Sequence, residues 1–197
     1  MRDKFLEIIK LKLNSGYVWG AQGNILTRKS FENYINKFGT KHYYFNGYSA
    51  LKWLNKEVFD CSGLIVYALQ QLGLINNDYT AAGLYKLCKQ ITIHDLQPGD
   101  FVFNKKFSHV GIYIGDNKVI HARSTYHGVV ETNLFKSFVN FGRYFNGDDK
   151  MTVKEFQEYA GLVVDGIIGK KTTSKLLEIA ENYFKLKNAI KIIKDIE

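Results

Sequence analysis

The sequence predicts an α+β domain followed by a small all-α domain. Three observations lead to this fold class. Apolar residues repeat at helical spacing up to about residue 73, short β-prone runs begin after Pro98-Gly99, and no strand pattern remains beyond residue 150. Helices followed by strands are typical of α+β proteins. We place the domains at residues 1–146 and 151–197, joined by the polar stretch 146–150.

Composition and charge exclude several classes of protein. Hydrophobic residues make up 46% and charged residues 23% of the 197 positions, which are globular and not disordered values. No apolar run approaches eighteen residues, so no membrane span is predicted. The net charge of +8 is already reached in residues 1–147, which hold 18 Lys and Arg against 10 Asp and Glu. Such a surface attracts nucleic acid, anionic lipid or anionic wall polymers, or only keeps the protein soluble.

Three helices are predicted in the first half of the chain. Apolar residues near helical spacing predict the first, which should stop near Asn14-Ser15-Gly16. A short second helix should end before Gly39. The third should run from residue 62 to about residue 72, and its apolar positions recur every three or four residues, as in a buried helix.

Strands and then helices are predicted in the second half. The β-prone runs are residues 101–103, 110–114, 119–120, 129–130 and 141–145, and turn residues such as Gly115-Asp116-Asn117 separate them. This pattern predicts an antiparallel meander. Val153, Phe156 and Tyr159 then mark one helix. A long amphipathic helix follows over residues 176–193, and its apolar seam serves either a dimer contact or packing within its own domain.

Cys61 is the side chain that most favours a catalytic function. It directly precedes the buried third helix, where the partial positive charge of a helix N-terminus stabilises a thiolate. A thiolate nucleophile needs a base, usually histidine, and a third polar group that holds the imidazole ring. The chain offers five histidines: His42, His94, His109, His121 and His127.

The predicted sheet brings His109 and His121 together. They lie on successive strands, at positions that mirror each other about the turn at 115–117. A cysteine at a helix N-terminus that faces two such histidines is the papain-like arrangement. The alternatives are a core cysteine with structural histidines, or a zinc site that still needs a fourth ligand. We expect Cys88 in the core without a disulfide bond, and the other three histidines at the surface.

Four stretches, in this order, resemble the signature blocks of the NlpC-type cell-wall cysteine peptidases. They are GYVWG at 16–20, FDCSGLIVYAL at 59–69, LQPGDFVF at 96–103 and SHVGIYIGDNKVIHA at 108–122. The match covers nearly all of residues 11–145. The resemblance implies a papain-like α+β domain that cleaves peptidoglycan stem peptides, commonly at the γ-D-glutamyl bond to the third-position diamino acid.

The same resemblance implies functions for single residues. It implies Cys61 as the nucleophile, His109 as the base and His121 as the third polar group. It also implies that four further residues contact the substrate or border the site: Tyr17, Asp60, Ser62 and Ser108. This chemistry requires no metal ion and no cofactor.

The chain departs from the family pattern in its upstream part. Ala21 stands where the second of two glycines is usual, and residues 21–58 are unusually long and hold eight aromatic residues among 38 positions. We interpret this segment as a wall or lid that reshapes the cleft. Its aromatic rings either stack on sugar rings of the substrate or only pack against the domain.

Residues 153–179, VKEFQEYAGLVVDGIIGKKTTSKLLEI, resemble a second family, the small helical peptidoglycan-binding domain. The Asp165-Gly166 turn and Gly169 make a tight loop, and Thr172 can cap the helix that follows. The first helix of that family is missing, and Lys170 stands where proline is common. The resemblance implies a minimal wall-binding module.

Together these features predict an endolysin-like peptidoglycan hydrolase that acts by a thiol mechanism. The expected partners are bacterial peptidoglycan and anionic wall polymers, not nucleic acid. The N-terminus lacks the unbroken apolar stretch of a signal peptide, so we expect synthesis in the cytoplasm and action on the wall after phage lysis or from a phage tail. An N-acetylmuramoyl-L-alanine amidase and a non-catalytic wall-binding tail protein are the alternatives. The oligomeric state is left open.

Overall fold

The computed structural model describes residues 1–45, 47–145, 156–158 and 160–194. They belong to two compact units, Met1–Asp148 and Asp149–Glu197. The predicted linker 146–150 lies outside the described residues. Val153 and Tyr159, which mark the predicted first helix of the smaller domain, lie outside them as well.

Side-chain caps set the beginnings of three helices in the first unit. Thr27, Asp60 and Thr80 each accept a hydrogen bond from a backbone N–H in the first turn of the helix that follows. The three predicted helices are confirmed to within a few residues, but the short fourth one was too brief for its periodicity to be read. The helices are α1 (Arg2–Leu11), α2 (Arg28–Phe38), α3 (Cys61–Gln71) and α4 (Ala81–Leu87).

The strands of the first unit form three sheets within the described residues. β1-β5-β2 form one sheet, β3-β4 a hairpin, and the largest sheet has the order β10-β9-β8-β7-β11-β6. The strands are β1 (Gly16–Tyr17), β2 (Gln22–Ile25), β3 (Tyr44–Phe45), β4 (Tyr48–Ser49), β5 (Glu57–Phe59), β6 (Lys89–Ile91), β7 (Phe101–Asn104), β8 (Val110–Gly115), β9 (Lys118–Ser124), β10 (Gly128–Asn133) and β11 (Phe138–Arg143).

The large sheet is antiparallel, and β7 to β10 form the predicted meander. The prediction is wrong for the last strand, because β11 returns to pair with β7 and not with β10. This pairing buries Phe138 and Phe141 in a cluster with Val102 and Val119 on one face of the sheet. β6, which the sequence did not predict, pairs with the outer edge of β11. The mixed α+β fold is confirmed.

α3 lies in the main core and fixes the position of Cys61. Leu64, Ile65, Ala68 and Leu69 of this helix are fully buried, in one cluster with apolar residues of α1 and the large sheet. A fully buried Leu or Ile side chain contributes roughly 1.5–3 kcal/mol relative to an exposed one. Rotation of α3 would expose several such side chains, so the first residue of the helix has one stable orientation.

The aromatic segment 21–58 folds around a second apolar cluster. Phe31, Tyr43 and Trp53 are buried there, and the Trp53 Nε1–H donates a hydrogen bond of 2.7 Å to the Thr125 carbonyl in the turn between β9 and β10. Most of the predicted wall is therefore a small packed subdomain held against the sheet. Tyr44 and Tyr48 are exposed on its surface.

The second unit contains a tight loop held by the side chain of Gln157. Its Nε2 donates hydrogen bonds to Asp165 Oδ1 (2.7 Å) and to the Ile167 carbonyl (3.0 Å). Its Oε1 accepts the Gly166 N–H at 2.9 Å. Gln157 is nearly fully buried, so each of these bonds satisfies a group that water does not reach.

A long helix, α5 (Lys170–Lys194), follows this loop. The prediction that Thr172 caps it is wrong, because Thr172 lies inside the first turn and its hydroxyl donates to the Ile167 carbonyl. The side chains of residues 183–194, which include much of the predicted apolar seam, lie outside the described part. None of the helices described here is both long and apolar enough to cross a bilayer.

Candidate active site

Cys61 is the first residue of α3 and is 6% exposed. Its Sγ donates a weak hydrogen bond of 3.9 Å to the Ser108 carbonyl, directly before His109. Gly63 allows α3 to approach the segment after β1, because a Cβ there would clash with the Ala21 carbonyl oxygen. The thiol therefore lies where the start of α3 meets the loop that leads into β8.

His109 and His121 form a hydrogen-bonded pair. His109 Nε2 lies 2.7 Å from His121 Nδ1. The register pairs Ile112 with Ile120, which places Gly111 opposite His121 and His109 diagonally across from it. A Cβ at Gly111 would lie 3.1 Å from the His121 Cβ, so glycine leaves the space for this ring pair.

Thr132 on β10 extends the chain of hydrogen bonds beyond His121. Its hydroxyl lies 3.2 Å from His121 Nε2 and donates a hydrogen bond of 3.0 Å to the Asn133 carbonyl. The sequence pattern alone does not single out Thr132. The missing information was the register of β10 on β9, which places Val130 opposite His121 and Thr132 two residues further along.

Asn104 is a second polar residue that the sequence analysis missed. Its side-chain oxygen accepts the backbone N–H groups of Ser108 (2.9 Å) and His109 (3.2 Å), and its Nδ2 donates to Ser108 Oγ at 2.9 Å. Asn104 thus holds the tight loop between β7 and β8, in which Phe107 has a φ of +51°. Asparagine at the end of a strand indicates a turn but not which N–H groups its side chain will bind.

Burial sets the protonation of the thiol. Desolvation, followed by the nearby Asp60 carboxylate, raises the pKa of Cys61 to about 12, although backbone N–H groups of Val110, Ser62 and Cys61 itself act in the opposite direction. The site therefore favours the neutral thiol, whereas the sequence predicted a thiolate. The helix N-terminus is present as predicted, but the loss of water outweighs it.

Burial also keeps both imidazole rings neutral. It lowers the pKa of His109 to about 4, with a smaller contribution from Arg123. It lowers the pKa of His121 to about 3, with further contributions from His109, Arg123 and His127. At neutral pH each of the two rings therefore has one protonated nitrogen, which donates a hydrogen bond, and one unprotonated nitrogen, which accepts one.

Asp60 has a structural function in the site. Its Oδ1 accepts the Gly63 N–H (2.7 Å) and the Ser62 hydroxyl (3.1 Å), and its Oδ2 accepts the Gly20 N–H (2.8 Å). Burial raises the pKa of this carboxyl group, and the three hydrogen bonds lower it again in part. Asp60 thereby joins the segment after β1 to the beginning of α3.

Tyr17, the residue predicted to border the site, is buried at the end of β1. Burial raises the pKa of its hydroxyl well above the usual value, and the neighbouring Cys61 and Asp60 raise it further. The phenol is therefore a neutral hydrogen-bond donor close to the thiol and not a phenolate.

A cleft of about 280 Å³ opens beside Cys61. This volume is close to the lower end of small-molecule sites, roughly 300–1,000 Å³. The structure brings four predicted residues together in its walls, namely Asp60, Cys61, Ser62 and Ser108. Lys37 and Phe38 of α2 and Asp78 before α4 line it as well, although the sequence analysis did not single them out.

Cys88, His42 and His127 are not among the residues that line this cleft. Cys88 follows α4, is a free thiol and packs against Gly142, with its Sγ 3.3 Å from the Leu84 carbonyl. His42 stacks on Trp19 at a centroid distance of 4.5 Å, and His127 bonds to Ser124. Across the described residues no group of three or more His, Cys, Asp or Glu has an arrangement that could hold a metal ion.

Comparisons with known proteins give a family and several relatives. The model of the NlpC/P60 family matches residues 39–142. A probable endopeptidase of Mycobacterium tuberculosis is 45% identical over 69 residues, which are 34% of this chain and 17% of that protein. The gamma-DL-glutamyl hydrolase of Bacillus subtilis is 31% identical over 136 residues, 61% of this chain and 32% of the relative. The chain therefore spans about a sixth to a third of the length of these relatives.

Two solved structures share the fold. The peptidoglycan hydrolase RipB of Mycobacterium tuberculosis is 18% identical with a TM-score of 0.53, over 74% of this chain and 65% of that one. The P60 domain of an antigen of Mycobacterium avium subspecies paratuberculosis is also 18% identical with a TM-score of 0.53, over 74% of this chain and 96% of that domain. At this identity the likeness is one of architecture.

Proposed function

Because the chain belongs to the NlpC/P60 family, we propose that it is a cysteine peptidase that hydrolyses the stem peptides of bacterial peptidoglycan. The relatives named as endopeptidases and the fold shared with a peptidoglycan hydrolase support this function. The observation that carries the proposal is the contact of Cys61 Sγ with the backbone beside His109, whose ring is hydrogen-bonded to His121.

The hydrogen bonds indicate which nitrogen of His109 acts as the base. His109 Nε2 faces His121, so Nδ1 is the nitrogen left to exchange a proton with the thiol. Because the resting thiol is neutral, His109 takes its proton as the sulfur attacks the stem-peptide carbonyl. His109 then gives the proton to the leaving amine, and the thioester forms as the C–N bond breaks. The same imidazole next activates the water that hydrolyses the thioester and regenerates the thiol.

Two groups beside the thiol are suited to stabilise the tetrahedral oxyanion. Cys61 is the first residue of α3, so its backbone N–H has no partner within the helix. The neutral Tyr17 hydroxyl is the second donor. Loss of one such donor typically lowers kcat by about 10²–10³. His121 orients the His109 ring and takes no part in the proton transfer itself.

The bond that we propose is the γ-D-glutamyl bond to the diamino acid of the stem peptide. The name of the Bacillus subtilis relative supports a γ-linked glutamyl substrate. Ser62 and Ser108 in the cleft are suited to contact the peptide on either side of this bond.

Digestion of purified peptidoglycan followed by mass spectrometry tests the proposal. We expect the wild type to release fragments with a new diamino-acid N-terminus, and Cys61→Ala to release none. Cys88→Ala serves as the matched control and should remain active. New N-terminal alanine with intact stem peptides would instead identify an amidase. No turnover by the wild type would favour the non-catalytic tail protein.

We also propose that residues 151–197 bind the cell wall. The support is the resemblance of FQ, GL, VDG and the later G and T to the peptidoglycan-binding pattern, together with the hydrogen bonds by which Gln157 joins the FQ and VDG parts of it. With this module the protein would act as an endolysin or a tail-associated hydrolase. The surplus of basic residues in 1–147 supports an additional attraction to anionic wall polymers.

A further inference from the structure

The hydroxyl of Thr132 is the last member of a directed chain of hydrogen bonds that begins at His109. The three links are His109 Nε2 to His121 Nδ1 (2.7 Å), His121 Nε2 to Thr132 Oγ1 (3.2 Å) and Thr132 Oγ1 to the Asn133 carbonyl (3.0 Å). A backbone carbonyl only accepts hydrogen bonds, and a threonine hydroxyl has one proton. The last of the three hydrogen bonds therefore determines which atom donates and which accepts in the other two.

The Asn133 carbonyl takes the Thr132 proton, so Thr132 Oγ1 must accept at His121. His121 then carries its proton on Nε2 and presents the Nδ1 lone pair to His109. His109 in turn carries its proton on Nε2, which leaves Nδ1 unprotonated and able to act as a base. If the Thr132 hydroxyl turned towards His121, each ring would take the other tautomer, and His109 Nδ1 would hold a proton and could not accept one.

We propose that Thr132 is a positioning residue that selects the tautomer in which His109 is a base. This inference rests on the proposed function for its catalytic consequence, but the tautomer itself is measurable without turnover. A purely structural threonine on β10, where it pairs with Val119, would have no effect on the protonated nitrogen of His109.

Two substitutions distinguish the effect of the Thr132 hydroxyl from the effect of the side chain's shape. Thr132→Val keeps the β-branched shape and removes the hydroxyl, whereas Thr132→Ser keeps the hydroxyl. Thr125→Val is the matched control, because Thr125 is buried in the turn before β10. We expect Thr132→Val to lower kcat on a stem peptide by about tenfold with little change in KM, a typical effect for the loss of one hydrogen bond to the catalytic machinery. Thr132→Ser and Thr125→Val should keep most of the wild-type kcat.

Nitrogen-15 NMR of the imidazole rings gives the decisive reading. We expect His109 to be protonated at Nε2 in the wild type and in Thr132→Ser, and to show a mixture of tautomers in Thr132→Val. An unchanged tautomer in a folded Thr132→Val protein would overturn the inference. A wild type that shows this tautomer but cleaves no peptidoglycan would overturn the proposed function and leave the tautomer assignment supported.

A separate observation concerns the charges in the cleft. Lys37, Asp60 and Asp78 are the charged residues that line it, and both oxygens of Asp60 are already bound to the protein. In the part of the chain that the structure describes, Lys37 and Asp78 make no ion pair and no side-chain hydrogen bond. Lys37 only lies over the Phe38 ring, with Nζ 4.9 Å from its centre.

The position of Lys37 is fixed by its neighbour. Phe38 packs on Gly20 so closely that a Cβ at Gly20 would lie 2.6 Å from the ring. This contact holds the end of α2 against the segment after β1, which also lines the cleft. Lys37 itself lies just before residue 39, where the family match begins.

We infer that Lys37 and Asp78 select a diamino acid whose side chain carries both a free carboxylate and a free ammonium group. Lys37 would bind the carboxylate and Asp78 the ammonium group, each as a charge-assisted hydrogen bond. This inference deepens the proposed function and rests on it. A Lys37 that only complements the dipole at the end of α2 would give no preference among substrates.

Three synthetic stem peptides test the two charges separately. One ends in a diamino acid with both groups free, one has the side-chain carboxylate converted to an amide, and one has the side-chain amine acetylated. We expect the wild type to prefer the first by about tenfold in kcat/KM. Lys37→Gln should lose only the preference over the amide, and Asp78→Asn only the preference over the acetylated peptide. Lys29→Gln on α2 and Asp116→Asn in the β8–β9 turn are the matched controls.

The outcomes distinguish the selection by Lys37 and Asp78 from the peptidase function itself. If the wild type cleaves the peptides but the two variants keep its preferences, the selection by Lys37 and Asp78 is wrong and the peptidase function stands. If the wild type cleaves none of them and no peptidoglycan either, the proposed function fails and this inference fails with it.

Discussion

Cys61 and Cys88 show how position in the fold separates two buried thiols. Burial raises the pKa of both to about 12, so acidity alone does not distinguish them. Only Cys61 lies at a helix N-terminus, on the wall of a cleft and against the loop that holds His109. Under the proposed function, the reactivity of Cys61 therefore depends on a base that removes its proton during attack.

Cys61→Ser should leave the fold intact and reduce the rate of peptidoglycan hydrolysis to a few per cent of the wild-type rate or less. A hydroxyl is far less acidic than a thiol, and His109 would have to remove its proton at a buried position, where a charge is poorly solvated. Wall turbidity and circular dichroism measure activity and folding. Substantial lysis by the serine variant would remove Cys61 as the nucleophile, and Cys88→Ser provides the control.

The buried His121 and the half-buried His109 make stability depend on pH. Their pKa values are lowered from 6.5 to about 4 and about 3, so the folded protein binds fewer protons than the unfolded chain below about pH 6.5. The free energy of unfolding must then fall as the pH falls through this window, by at most about 1.4 kcal/mol per pH unit for each histidine. Above pH 7 both rings are neutral in both states and the effect vanishes.

A double variant, His109→Gln with His121→Gln, should therefore lose less stability between pH 7 and pH 4 than the wild type does. Urea unfolding at a series of pH values measures the difference, and His94→Gln at an exposed position is the control. If the curves of wild type and double variant run parallel, the buried rings are not the source of the acid sensitivity.

At the scale of elements, the site depends on how closely α3 approaches the segment after β1. Gly63 and the Ala21 carbonyl are in direct contact, and Asp60 joins Gly20 to the helix N-terminus. Two residues of the DCSG block, Asp60 and Gly63, thus serve the packing of α3 against this segment. The thiol is held in place because its helix can dock on this segment only without a side chain at position 63.

Gly63→Ala should destabilise the first unit by about 1–3 kcal/mol, the usual cost of forcing a methyl group into packed structure. Gly83→Ala in α4 is the comparison, because its closest contact would be 3.3 Å from the Tyr79 ring, and we expect a change within about 1 kcal/mol. Thermal unfolding measures both. Equal melting temperatures for the two variants would show that α3 can shift without loss.

At the scale of the whole molecule, the complete set of candidate catalytic residues lies in the first unit. The proposed chemistry is therefore local to Met1–Asp148. The contribution that we propose for the second unit is binding to the wall. The basic surplus of residues 1–147 gives the first unit an attraction of its own to anionic polymers.

A protein truncated to residues 1–147 should keep most of its kcat/KM on a soluble muropeptide but lose activity on insoluble walls. Tethering by the second unit raises the effective concentration of the enzyme at its substrate. The loss should be partial at low salt and should deepen towards about 0.15 M, where charges are screened beyond about 8 Å. Pelleting with purified walls and lysis across a salt series measure this. Equal pelleting of both forms at every salt concentration would mean that residues 151–197 are not a wall-binding module.

The sequence by itself determined the α+β class, the three longer helices of the first unit (α1, α2 and α3) and the proximity of His109 to His121. Helical periodicity and turn residues are local signals, and two strands joined by a short turn can pair in few ways. The same local signals missed α4 and β6, which are too short to show a period. They also misplaced β11, because nothing in its own residues indicates which strand it pairs with.

Only the tertiary structure decided the protonation of the site, the residues that orient it and the charges in the cleft. Cys61 is a neutral thiol because of the atoms packed around it, and that packing comes from α1, α3 and the sheet together. Thr132 and Lys37 reach the site from β10 and α2, far from Cys61 in sequence. Desolvation and hydrogen bonding depend on distances in space. A sequence pattern predicts those distances only for segments that are neighbours along the chain.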